Sequence, residues 1–225
     1  AGRNVAGMTV VLDSGGGSVN DAIALGRRWR KLGLRTTVGT SVVVKTDAGD
    51  RAAVLPDAYC ESMCAFMLLS GKTRYVPDGA HVRVHQIWMG DRADDARAAS
   101  YSADDLMIVE RDIGRLAKYT FDMGGGGDLL YLALSIPPWE KLHELSAAEL
   151  RATNLVTTDN VADVLPGGNA TEAPVAGLVT KPVQDRFPAG ANAAAAETSV
   201  SQQTKTVEAV PTGGVAVAAP PAQNP

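Results

Sequence analysis

The chain has no stretch approaching the roughly 18 consecutive apolar residues that a helix needs to cross a bilayer, so a membrane-spanning segment is excluded. Aromatic residues are scarce as well, at 5% of 225 residues, against 23 glycines and 12 prolines. That balance means that part of the chain lies outside any packed core. Neither sign of charge dominates: 21 Lys and Arg face 25 Asp and Glu, for a net charge of −4 and a pI near 5.4, with no long run of one sign. A protein that binds nucleic acid or another polyanion is disfavoured on that ground. The opening AGRNVAGMTV does not begin with Met and has no basic segment and no apolar leader core, so the start of the chain is silent about export. What is present, 45% hydrophobic residues, suffices for one domain of about 100–200 residues.

From Phe187 onward the composition is Ala, Pro, Thr, Gln and Gly with no further aromatic, which cannot offset the entropy of ordering it. LPGGNA at 165–170 is a clear break, so the expected folded unit is 1–165 and the expected disordered tail 166–225. Within the unit, MTVVL runs into DSGGGS, which suits a buried strand entering a glycine turn. Ser18 and Asp21 then cap a helix with Val19, Ala22, Ile23, Gly26 and Trp29 on one face and Gly33 at its end. TTVGTSVVVKT reads as one or two strands and AGDRAAVLPDA as a loop. ESMCAFMLLSG predicts a short buried helix from near Ser62 to Gly71, and HVRVHQI alternates as a strand does. A capped amphipathic helix is expected from about Ser102 to Met123. Ser146 with Glu149 opens a last helix before a final strand, LVTTD. Strands alternating with helices predict an α/β fold with a mostly parallel sheet.

Three segments carry chemistry-bearing residues: the glycine turn at 13–18, the helix start at Ser62 and the strand ending near His85. A serine at a helix N-terminus sits beside free backbone N–H groups that stabilise an oxyanion, although Ser is also a common N-cap. A histidine on an apolar strand is either structural or a general base. Cys60 and Cys64 bracket Ser62, and if both were helical their Cα atoms would lie about 6 Å apart, within disulfide range. Two buried free thiols is the equal alternative. Cys60, Cys64, His81 and His85 also have zinc-finger-like spacing, but the two histidines lie in an alternating strand segment. Four strand residues separate them by about 13 Å, too far to share one metal. GGGSVN lacks the spacing of a nucleotide-binding loop, so no metal and no cofactor is expected.

DSGGGSV before a helix, CESMCAFMLLSGKTRYVPDGAHVRVHQ, and LSAAELRATNLVTTD together resemble the proteolytic subunit of the Clp protease and its periplasmic and signal-peptide-peptidase-like relatives, over roughly residues 5–160. The resemblance implies the superhelical βαβ units of the Clp and crotonase superfold and a serine peptidase acting on peptide or protein. It assigns Ser62 as nucleophile, His85 as general base, and the N–H groups of Gly16, Gly17 and Met63 as the oxyanion hole. The family's Asp falls four residues before Ser146, where this chain has Leu142. Glu140, Glu144 or His143 then stands in for it, or nothing orients His85. Some relatives use a Lys base, for which Lys118 is the weak candidate. The resemblance also implies a homo-oligomer and, through its exported members, an oxidising compartment such as the periplasm; nothing points to an ATPase partner. A non-catalytic peptide-binding member and a crotonase-type acyl-CoA enzyme are the alternatives.

Overall fold

The computed structural model describes residues 4–165 apart from 48, 91–96, 98 and 99. The low-complexity stretch 166–225, expected to be disordered, lies outside the described residues. Strand β1 (Thr9–Leu12) leads through the glycine turn into helix α1 (Val19–Lys31), whose start is held by Ser18 Oγ accepting the Asp21 N–H. Arg28, Arg30 and Lys31 crowd its last turn, where cations oppose the partial charge of the terminal carbonyls. Strand β2 (Arg35–Val38) returns parallel to β1, and the short β6 (Arg74–Tyr75) adds to β2, also parallel. A second sheet pairs β5 (Ala58–Glu61) parallel with β7 (Ala80–Val84) and β7 antiparallel with β8 (His143–Glu144). The fold is therefore α/β, with parallel strands in both sheets.

Between β2 and β5 the chain forms an antiparallel ribbon, β3 (Thr40–Thr46) with β4 (Gly49–Leu55). The stretch expected to be a loop thus contains a strand. Its Ala-rich sequence has little β preference of its own, but pairing of Ala52 with Val43 and Val54 with Ser41 supplies the ladder. One other expectation also fails. Thr157 and Thr158 both donate their N–H groups to one acceptor, the Arg74 carbonyl, so LVTTD makes no strand. After the glycines at 124–127 comes a helix that no periodicity announced, α4 (Gly127–Leu134).

Helix α2 (Met63–Leu68) forms the centre of the core: Met63, Cys64, Ala65, Phe66 and Leu68 are all buried. Removing large apolar side chains from water stabilises by about 1.5–3 kcal/mol each. Helix α3 (Ala103–Asp122), opened by a reciprocal capping box between Ser102 and Asp105, packs beside α1. There Gly26 is required, because a Cβ would lie 2.0 Å from the Tyr119 hydroxyl oxygen. Tyr119 in turn donates to the Phe66 carbonyl at 3.2 Å, tying α3 to α2. Two arginines hold the far end of α2. Arg30 donates to the carbonyls of Ser70 and Met123 at 2.9 and 2.7 Å, and the buried Arg74 donates to those of Gly71 and Asn154 at 2.9 and 2.8 Å. Burial, reinforced by the nearby charge of Arg30, lowers the Arg74 pKa to about 10, so it remains a cation at neutral pH. These bonds fix α2 at its C-terminal end and so help to position the serine at the other.

Candidate active site

Strands β5 and β7 run parallel, with Glu61 beside Arg83, and their C-terminal ends lie side by side at the usual strand spacing of about 5 Å. Ser62 follows β5 and His85 follows β7. The Ser62 N–H still donates to the Arg83 carbonyl at 2.8 Å, so the turn begins with the last ladder bond already made. The backbone then breaks sharply: Ser62 has φ 56° and ψ −124°, and its side chain makes no capping hydrogen bond to α2. A helix-capping serine is extended and bonds back to the first turn, as Ser18, Ser102 and Ser146 do here. Ser62 does neither, so the capping alternative is set aside. Holding a residue with a Cβ in this region costs about 1–3 kcal/mol, which surrounding structure must offset.

The glycine turn supplies part of that surrounding. Ser14 continues β1 alongside β5, its N–H donating to the Tyr59 carbonyl at 2.7 Å and its carbonyl accepting from Glu61 at 2.9 Å. The turn then lies directly on the bend, since a Cβ on Gly16 would come within 2.8 Å of the Glu61 carbonyl oxygen and Ser62 Cβ and 2.9 Å of Met63 N. Gly16 and Gly17 take φ values of 97° and 143°, which residues with a Cβ rarely adopt. The Gly16 N–H, one of three expected oxyanion donors, points instead at Ser14 Oγ, 3.2 Å away. Among the described residues, the N–H groups of Gly17 and Met63 have no acceptor within the protein. They are donors available at this turn.

A disulfide joins Cys60 on β5 to Cys64 on α2, with Cα atoms 5.1 Å apart and both residues buried. The geometry differs from the helix-to-helix spacing expected, because Cys60 is a strand residue. The bridge closes around Ser62 and ties together the two elements between which the serine bends.

His85 is only 9% exposed. Its Nδ1 lies 2.7 Å from the carbonyl oxygen of Gln86, and a carbonyl only accepts, so Nδ1 carries the proton and Nε2 is left as the bare acceptor. Burial lowers the His85 pKa below its ordinary 6.5, against the opposing pull of the Gln86 carbonyl and the Glu61 charge. The ring is thus neutral at pH 7, the state a general base requires.

None of the three expected stand-ins for the missing carboxylate hydrogen-bonds His85. Glu144 is engaged by His81 at 2.6 Å and Arg83 at 3.2 Å, and both contacts hold its carboxyl below the usual range. His143 pairs with Glu149 at 2.9 Å, and the Glu140 N–H donates to Pro137 on an exposed segment. The antiparallel register of β7 and β8 matches Arg83 with Glu144 and Val84 with His143 and ends there, with His85 one residue past β7 and the half-buried Leu142 one residue before β8. Lys118 pairs with Asp122 on the exposed side of α3 and is not drawn into the site. Sequence reasoning missed two neighbours of His85, the Gln86 carbonyl and the Trp88 ring, whose centroid is 4.6 Å from that of the imidazole. A backbone acceptor leaves no mark in sequence, and Trp88 falls beyond the end of β7. A separate open cleft of about 620 Å³, lined by Arg35, Lys72, Thr157 and Asp163, lies at the N-terminal ends of β2 and β6. It is at the opposite end of the strands from these groups and takes no part in the site.

No protein-family model matches the chain, and no curated protein matches it.

Proposed function

We propose that the chain is a serine hydrolase of the Clp and crotonase superfold that cleaves peptide bonds through a Ser62 acyl-enzyme. The observation that carries this reading is the strained, uncapped Ser62 on a strand-to-helix bend, at the end of a strand paired with the one that leads to a neutral histidine whose free nitrogen is Nε2. In this mechanism Ser62 Oγ attacks the substrate carbonyl carbon while its proton passes to His85 Nε2. The N–H groups of Gly17 and Met63 receive the oxyanion, and the imidazolium returns its proton to the departing amine. Water, deprotonated by the same nitrogen, then attacks the ester and releases the acid. Gln86 takes the orienting part of a triad carboxylate but brings no full negative charge, and losing that charge costs up to about 10⁴ in turnover in Ser-His-Asp enzymes. A slow enzyme is expected. The buried disulfide supports an oxidising compartment, as the exported relatives in the resemblance suggest.

Leu142 at the position where the resemblance expects a carboxylate, with Glu144 and His143 engaged elsewhere, favours a second reading, in which the same fold binds extended peptide without turnover. Labelling with a fluorophosphonate probe, mapped by mass spectrometry, separates the two. Adduct at Ser62 that disappears in Ser62→Ala and falls sharply in His85→Ala supports the hydrolase. A folded protein that takes no label but binds peptide, with unchanged affinity in Ser62→Ala, establishes the second reading instead.

A further inference from the structure

The geometry points to Trp88 as a positioning residue for His85: the indole replaces the absent carboxylate by steadying the ring and stabilising the imidazolium formed when Ser62 gives up its proton. The inference rests on the hydrolase reading. Its first support is the contact itself, a ring pair 4.6 Å apart between centroids and inclined by 47°. A cation within about 6 Å of an indole face is attracted by the ring quadrupole, and indole is the strongest of the protein aromatics in this respect. The second support is the indole N–H. It is buried and, among the described residues, has no acceptor. A buried donor left unpaired is unfavourable, so whatever the side chain contributes at this position comes from its ring.

The other groups around His85 leave this role open. From β5, Glu61 is the one charge that favours the imidazolium, and its carboxylate is engaged by Arg83 at 2.9 Å. On β7, Arg83 is committed to Glu61 and Glu144. On β8, Glu144 is turned to His81, and Leu142, the residue before that strand, offers no charge. The Gln86 carbonyl fixes the tautomer but is a neutral acceptor. Among the described residues, the indole is thus the aromatic ring that pairs with the imidazole that must become charged.

The test compares Trp88→Leu, which keeps an apolar wall, with Trp88→Phe, which keeps a π-face. Their His85 titrations are followed by NMR in a Ser62→Ala background, and Ser62 labelling rates are measured on the alkaline plateau. Expected in Trp88→Leu are a downward shift of the His85 pKa and a rate lower by about 3- to 30-fold, with Trp88→Phe recovering most of both. A folded Trp88→Leu protein whose His85 pKa is unmoved or raised, with an unchanged plateau, overturns the proposal. Should Trp88→Leu not fold, site-specific replacement of Trp88 by increasingly fluorinated tryptophans weakens the quadrupole at nearly constant shape. The rate should then fall along the series, and a flat series overturns the proposal. The titration needs no turnover, so absence of wild-type labelling defeats the hydrolase reading alone, whereas an unmoved titration defeats the role of Trp88 alone.

Discussion

At φ 56° Ser62 occupies a region that glycine enters freely and serine does not. Relief of that strain is measurable. Ser62→Gly should be more stable than Ser62→Ala by about 1 kcal/mol in urea denaturation, since only glycine removes the Cβ conflict. Equal stability of the two variants would mean that the bend is not strained. His85 makes a second prediction at this scale. Its pKa is lowered by burial, so on the proposed mechanism the labelling rate should be half-maximal below pH 6.5 in a pH profile. Leu142 makes a third. On the proposed mechanism, an aspartate one residue before β8 would bring a carboxylate toward His85, one residue past β7, and Leu142→Asp should raise the labelling rate about 10-fold or more. An unchanged rate would show that the β8 edge does not reach the imidazole.

At the scale of elements, β5 and α2 meet at Ser62, and the Cys60–Cys64 bridge joins them across it. The closed loop is short, so its entropic contribution is modest, about 2 kcal/mol. The larger consequence is local, because without the bridge the helix start is free to relax toward ordinary capping geometry. Replacing both cysteines by alanine should lower stability by about that amount in chemical denaturation, and should reduce Ser62 labelling even under conditions where the protein is fully folded. Helix α5 (Ala147–Ala152) carries the pH-sensitive element. Glu149 is pulled to a pKa of about 2, first by the Ser146 hydroxyl, then by the Ser146 N–H and by His143. A carboxyl with a lowered folded pKa contributes stability above its ordinary value of 4.5 and loses it as pH falls toward 2. Amide exchange at α5 should therefore accelerate between about pH 4.5 and 2, and Ser146→Ala should move the onset to higher pH.

For the molecule as a whole, the junction of α1, α2 and α3 through Gly26, Tyr119 and Phe66 keeps the Ser62 bend fixed to the core. Gly26→Ala places a methyl group against the Tyr119 hydroxyl and should cost about 1–3 kcal/mol despite the better helix propensity of alanine. Adding Tyr119→Phe should return part of that loss, and additive effects in the double-mutant cycle would mean that the two side chains do not compete for one space.

Sequence alone determined the features that depend on neighbours along the chain. The capped starts at Ser18, Ser102 and Ser146, the β1-to-α1 glycine turn and the apolar α2 were all legible, because caps, turns and burial periodicity act within a few residues. The pattern also singled out Ser62 and His85, and it left open whether the cysteines were bridged. Tertiary structure decided what depends on residues distant in the chain. Strand β4 exists because β3 offers it a ladder, and LVTTD remains irregular because one carbonyl receives both its N–H groups. Cys60 and Cys64 are joined because a strand and a helix meet at a sharp bend. The surroundings of His85 were the least legible. A backbone carbonyl and an indole meet there through the turn after β7 and burial, which no local pattern encodes.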